Sequence, residues 1–364
     1  MESQGEFHGE VLERDLAHVL EHTKAVWNEL KDQDIFITGG TGFFGSWLLE
    51  SFIRANETHH LNARVTVLTR DPGAFKKRLP HLGNHPSIHF HQGDVTDFSF
   101  PKTRFSHIIH TATPATDSSK TASLTMIDTI VGGTRRVLDF ARENSGTKML
   151  LTSSGAVYGK QPENVSLLSE DFSGAPHPDD TRSSYGHGKR LAEHLSALYH
   201  RDSNVDVKIA RCFAHSGPYL PLDAHYALGN FIRDGLAEKP IQVVGSGTAV
   251  RSYLDAADLM IWLWTILTKG KPSYPYNVGS EVGISIADVA RKVSKHFQGN
   301  SQAKVQTEVQ ILGQAKPGVS DIYLPSTQRA RDELGLQQRI GLDQSIADTI
   351  AWNRNRDRTR NSKN

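Results

Sequence analysis

The chain has a single cysteine, Cys212, among its 364 residues. No internal disulfide can therefore staple it, and that usage suits a reducing, cytoplasmic compartment. It has no apolar run near the about 20 residues that span a bilayer. The acidic, polar start MESQGEFHGEVLERD has no basic and apolar regions of a secretory signal. Neither sign of charge is in excess: 41 Lys and Arg face 40 Asp and Glu, for a net +1. Nothing global thus favours nucleic acid or an anionic membrane as partner. No internal repeat occurs, and the tract RNRDRTRNSKN (354–364) reads as a frayed polar tail. What remains is length enough for one large α/β domain and a smaller one appended to it.

Leu12, Leu16, Val19, Leu20, Val26, Trp27 and Leu30 fall on one stripe and predict a helix over 11–31, inside an N-terminal extension (1–32) docked on the body. From IFITGG (35–40) onward, short apolar runs alternate with helical periods. The runs are RVTVLTR (64–70), SIHFHQGDV (87–95), FSHIIHTAT (105–113), KMLLTSSGAVYG (148–159) and VDVKIARC (205–212). The helices between them include GSWLLESFIRA, 118–144 and 185–201. This alternation predicts a Rossmann-like, doubly wound parallel sheet covered on both faces over 33–212. After 213 Pro and Gly punctuate the chain more often. A smaller C-terminal substrate-binding domain is expected over 213–353, with a segment near 247–265 returning to the sheet. MIWLWTIL (260–267) is too short to span a membrane and reads as a buried helix.

TGGTGFFG sets Gly39, Gly42 and Gly45 between the first strand and its helix. The first glycine allows the tight turn, the second lets backbone approach a diphosphate, and the third lets helix pack on strand. The anion then meets free amides at the helix N-terminus. A dinucleotide is the implied cofactor. Thr41, Phe43 and Phe44 share this loop, and Thr111, Ala112, Thr113 and Thr152 end the neighbouring strands where a cofactor would lie. The second strand ends in Thr69-Arg70-Asp71. Arg70 suits a 2'-phosphate and so NADP, while Asp71 keeps NAD open. Asp94 and Val95, in GDVTD, are placed to meet adenine.

YGHGK puts Tyr185 and Lys189 one helical turn apart on one face. An ammonium beside a phenol favours phenolate, so Lys189 is expected to lower the pKa of Tyr185, which would exchange a proton while hydride moves at a nicotinamide. Lys189 can also hold the cofactor ribose. Ser154, at the end of LLTSSGAVYG, can bond the reacting oxygen.

The motifs TGGTGFFG, GDVTD, SSGAVYG, YGHGK, RSYLDAADL and YNVGS stand in the order found in the extended short-chain dehydrogenases. Over about 33–353 the chain resembles the nucleotide-sugar epimerases, dehydratases, decarboxylases and ketoreductases of that class. The resemblance implies a nucleotide-sugar substrate and a homodimer through two helices per subunit, here 118–144 and 185–201. It also implies that Arg251 binds the substrate diphosphate, with an ion pair to Asp255 or Asp258 as the competing role. Asn230 and Ala156 join Ser154 and Arg251 as expected substrate neighbours.

Departures narrow the subclass. Where the 4,6-dehydratases carry an Asp-Glu pair after the catalytic Ser or Thr, and the related decarboxylases a Glu, this chain has Gly155 and Ala156. Neither can supply an acid or base, so the resemblance points to a 4-epimerase or 4-ketoreductase. A dehydratase would have to draw acid and base from elsewhere, His187 or His215 for example. A non-catalytic sensor of dinucleotide state is the alternative outside enzymes. Ile130 replaces one family asparagine, and Ala214 replaces the asparagine of the RxFNxYGP stretch. His81, His85, His89 and His91 have no cysteine or paired carboxylate beside them, so no metal site is expected. Cys212 reads as core packing.

Overall fold

The computed structural model describes residues 9–113, 122–144, 146–224, 226–298, 308–314 and 321–361. Helix α1 (Glu10–His22) precedes an alternation of β1 (Asp34–Thr38), α2 (Phe43–Thr58), β2 (Arg64–Thr69), α3 (Pro72–Arg78), α4 (Pro80–Gly83) and β3 (Ile88–Gln92). It continues with β4 (His107–His110), α5 (Ala122–Glu143), β5 (Lys148–Ser154), α6 (Ser184–Ser203) and β6 (Asp206–Cys212). These strands are runs of β-branched and aromatic residues, as burial on both faces of a parallel sheet demands. The C-terminal part comprises β7 (Ala214–Ser216), α7 (Ala227–Leu236), β8 (Ile241–Val243), β9 (Val250–Arg251), β10 (Tyr253–Asp255), α8 (Ala256–Lys269) and β11 (Pro275–Val278). It ends with β12 (Ile284–Ser285), α9 (Ile286–Gln298), β13 (Val309–Ile311), β14 (Ile322–Tyr323), α10 (Gln328–Leu334) and α11 (Leu342–Asn361).

Seven parallel strands form the central sheet in the order β11-β6-β5-β4-β1-β2-β3. The order in which strands are laid down reverses between β1 and β4, which opens a crevice beyond their carboxyl ends. One face packs α1, α2 and α8 into a single apolar core, and the other is covered by α5 and α6. A further core joins α7, α9 and α11 with β8 in the C-terminal lobe. Helix α8 is buried from Ala256 to Thr268, which is why its sequence is apolar all round.

Three expectations change here. The segment near 247–265 does not give the sheet a strand: β10 pairs with β7 outside it, α8 lies against it, and the returning strand is β11. Residues 11–31 are not one helix. The hydroxyl of Thr23 donates to the Val19 carbonyl at 2.6 Å and accepts from Trp27 Nε1 at 2.8 Å. The chain turns there, and Trp27 packs on Trp264 with ring centroids 5.0 Å apart. Finally, 354–361 continue α11 rather than fraying. Helix α1 is docked as expected, through Leu12, Leu16 and Val19 and through pairs of Arg14 with Asp348 (2.6 Å) and His18 with Asp258 (3.1 Å). Among the described residues, no helix is long and apolar enough to cross a membrane.

Candidate active site

The glycine loop sits at the sheet's reversal point. Gly39 adopts φ +72°, and a Cβ there would come within 2.6 Å of Thr111 Oγ1 and the Ala112 amide. Thr111 and Ala112 thus wall the loop from β4. A Cβ on Gly45 would meet Gly40 Cα at 2.3 Å, so only glycine lets α2 start this close to β1. Gly42 caps α2 without any side-chain acceptor, leaving the first amides free, and its Cβ side is open but for one contact at 3.5 Å. Free amides on a 16-residue helix, approached across a bare glycine, fit a diphosphate. Phe43 and Phe44 follow, ring centroids 5.7 Å apart. Arg78 of α3 donates to the Thr41 carbonyl, a cation beside the loop that no motif announced.

Beyond β3, Asp94 accepts from Thr96 N (3.0 Å) and Thr96 Oγ1 (2.7 Å), and the backbone bond chiefly holds its pKa below the usual range. Arg70 stands 84% exposed, 4.0 Å from that carboxylate. Asp71 is already engaged: it caps α3, accepting from the Ala74 amide at 2.9 Å. Val95 is buried against Gly133.

Helix α6 carries the two candidate catalytic residues, Tyr185 and Lys189. Lys189 is buried, and its Nζ donates to Thr113 Oγ1 and the Thr152 carbonyl, both at 2.8 Å. Burial lowers its pKa to about 8. Its Nζ is 5.8 Å from the centre of the Tyr185 ring. Burial pushes the Tyr185 phenol up to about 12, opposed by a hydrogen bond with Ser154. The depressed phenol expected from Lys189 is therefore not what this geometry gives. The ammonium's contacts are spent on threonine oxygens, and desolvation dominates the phenol. Ser154 ends β5, buried, with Oγ accepting from the Ala156 amide at 3.1 Å.

Beneath these groups runs a buried polar network. Ser153 Oγ donates to Glu193, which pairs with Arg211 at 2.7 Å. Arg211 donates to Tyr158 Oη at 2.8 Å, and that hydroxyl donates to Asn277 Oδ1 at 2.8 Å. It ties α6, β5, β6 and β11 together. Ile130 of α5, where the family pattern has asparagine, lies flush on Gly188, whose Cβ would be 3.2 Å away.

The substrate side is only partly assembled by the expected residues. Arg251 pairs with Asp321 at 2.9 Å rather than with Asp255 or Asp258. Asp255 instead caps α8 at Ala257 N (2.8 Å), and Asp258 accepts from the amides of Arg339 (2.7 Å) and Ile340 (2.8 Å). Asn230 lies on α7 and accepts from Arg233 at 3.2 Å. Ala156 is in the turn after Ser154, and Ala214 is on β7. Both ring nitrogens of His215 are shut from solvent and burial lowers its pKa to about 3, so it stays neutral and is no acid. His187 bonds the His177 carbonyl at 3.3 Å. His81 and His91 bond Glu50 and the Ser99 carbonyl, each at 2.8 Å. Cys212 is buried and its thiol is raised to about 12 by that burial, which suits packing.

A parallel sheet with a glycine loop at its reversal point, and Ser, Tyr and Lys on the neighbouring strand and helix, defines an extended short-chain dehydrogenase. A family model described as the NAD dependent epimerase/dehydratase family matches residues 35–279, and the chain belongs to that family. It is 28% identical over 313 residues to UDP-glucuronic acid decarboxylase 4 of Arabidopsis thaliana, covering 86% of this chain and 66% of that protein's length. It is 29% identical to UDP-glucuronic acid decarboxylase 6 of the same plant, over 86% of each. Among solved structures, UDP-glucose 4-epimerase of Thermotoga maritima with UDP-glucose has a TM-score of 0.73 at 19% identity, covering 89% of this chain and 99% of that one. A dTDP-glucose 4,6-dehydratase of Streptomyces venezuelae with NAD bound has a TM-score of 0.74 at 21% identity, covering 88% and 97%.

Arg211→Met removes one partner of the buried pair and leaves the Glu193 carboxylate uncompensated. A loss of about 3–5 kcal/mol of unfolding free energy is expected. Urea titration followed by circular dichroism checks it, and a midpoint matching wild type would mean the pair is not what fixes β5.

Proposed function

We propose that the chain moves hydride at carbon-4 of a nucleotide-activated sugar, as a 4-epimerase or 4-ketoreductase. The company of Tyr185 carries this reading. Among the described residues, those that act on its phenol besides burial are Ser154, Cys212, Tyr226 and Tyr323, with no carboxylate among them. Expelling water across carbons 5 and 6 requires a positioned acid and base. Gly155 and Ala156 supply neither, and His215 is neutral and sealed. The same absence at Ala156 separates this chain from the decarboxylases that it resembles in sequence.

A bound nicotinamide supplies the hydride acceptor and donor. Gly39, Gly42, Gly45 and the amides of α2 hold the diphosphate, while Lys189 with Thr113 and Thr152 faces the ribose. Tyr185 carries the proton of the carbon-4 hydroxyl, and Ser154 bonds the same oxygen. Arg251 meets the substrate diphosphate after exchanging its bond to Asp321. NADP is the preferred dinucleotide on this reading, because Arg70 stands exposed beside Asp94 at the second strand's end and Asp71 is committed to capping α3. The reading includes a homodimer through α5 and α6, where Leu124 and Leu191 stand 73% and 43% exposed. Residues 118–121 of the expected dimer helix lie outside the described residues.

The experiment is a panel of UDP-, GDP-, CDP- and dTDP-sugars, with 4-keto forms included, run in deuterated water. Product should form without deuterium at carbon-5. Deuterium there, or a 4-keto-6-deoxy product from an unmodified hexose, would overturn the reading. A separate titration tests the cofactor: Arg70→Ala should weaken NADP more than NAD, and equal weakening would reduce Arg70 to a loop charge.

A further inference from the structure

The space over Gly155 is filled by a hydroxyl from the C-terminal lobe. A Cβ at that position would come within 2.4 Å of Tyr323 Oη and 2.5 Å of Phe213 Cζ. Tyr323 arrives there on β14, which pairs with β9 so that Tyr323 lies opposite Arg251. Its ring packs on Phe213 with centroids 4.5 Å apart and planes inclined by 32°, and the Arg251 guanidinium lies 5.9 Å from its centre. Ser154 acts on both the Tyr323 and the Tyr185 phenol, so two phenols from two lobes converge beside one serine hydroxyl. With the Ala156 amide already donating to Ser154 Oγ at 3.1 Å, that hydroxyl has one acceptor site and one proton left for both.

We propose that Tyr323 is a further residue of the catalytic site, whose hydroxyl donates to a sugar hydroxyl flanking carbon-4 and fixes Ser154 in line with Tyr185. This assignment rests on the functional reading above. Gly155 and Tyr323 are then one device. The missing side chain just after β5 makes room for a donor on the strand that directly follows Asp321, the partner of Arg251. Burial pushes the Tyr323 phenol far above its usual range, so it stays a neutral donor. Such a group orients an oxygen by donating to it.

Tyr323→Phe keeps the ring on Phe213 and removes only the hydroxyl. Wild type and variant, loaded with dinucleotide, are titrated with UDP-glucose, dTDP-glucose, UDP and dTDP, and turnover is measured on any sugar of the panel that wild type converts. Affinity for the nucleotide sugar should fall about tenfold, the loss of one hydrogen bond. Turnover should fall about 10–100-fold. Affinity for the bare nucleoside diphosphate and for the dinucleotide, and the melting midpoint, should hold. Gly155→Ala, which pushes on the Tyr323 hydroxyl and the Phe213 ring while leaving Tyr323 intact, should give the same losses of sugar affinity and turnover with a lower melting midpoint, and it decides the matter if Tyr323→Phe does not fold. Variants that match wild type, or that weaken UDP as much as UDP-glucose, overturn the assignment alone. Wild type that binds and converts no sugar of the panel overturns the functional reading and this assignment with it.

Discussion

A lysine ammonium almost cut off from water has to be met by oxygen, because an uncompensated buried charge costs several kcal/mol. Lys189 is met twice, by Thr113 beyond the end of β4 and by Thr152 near the end of β5. Those two bonds fix the rotation and height of α6 against the sheet. One turn earlier Tyr185 is thereby set over Ser154, and one turn later Glu193 reaches Ser153 and Arg211. Positions 185, 189 and 193 are one stripe of a helix, each meeting the same strand end. Close approach is needed for this. A Cβ on Gly186 would come within 2.7 Å of the Ala156 carbonyl, and one on Gly188 within 3.2 Å of Ile130.

The two lobes are joined at that stripe. The Rossmann part brings the glycine loop at the sheet's reversal point and the Tyr185 phenol on α6. The C-terminal part brings Arg251 and Tyr323 on short paired strands, held by the Asp321 bond and by packing on Phe213. Phe213 directly follows β6, so the aromatic contact between lobes is tied to the sheet itself. Two phenols approach Ser154, and the Glu193 carboxylate is kept below it, paired with Arg211.

What was readable in the sequence was what local spacing encodes. A glycine triplet between strand and helix, a Tyr and Lys four apart, and apolar alternation each dictate geometry within a few residues, and the sheet and the Ser154, Tyr185 and Lys189 cluster follow from them. What was hidden depends on partners distant in the chain. Strands β9 and β14 have two residues each and no periodicity, so neither the Arg251–Asp321 pair nor Tyr323 had any local signal. Spacing on a helix says nothing of which oxygens the Lys189 ammonium will find, so its bonds to Thr113 and Thr152 had no local signal. The break after α1 hinges on the Thr23 hydroxyl capturing both Val19 and Trp27, a tertiary choice that an apolar stripe does not reveal.

Hydride transfer at carbon-4 is tested most directly with a nucleotide sugar deuterated at that carbon. Turnover should slow relative to the protiated sugar. The label should appear on the reduced dinucleotide or return to carbon-4 of the product. Product formed at an unchanged rate, with the label never leaving carbon-4, would contradict it.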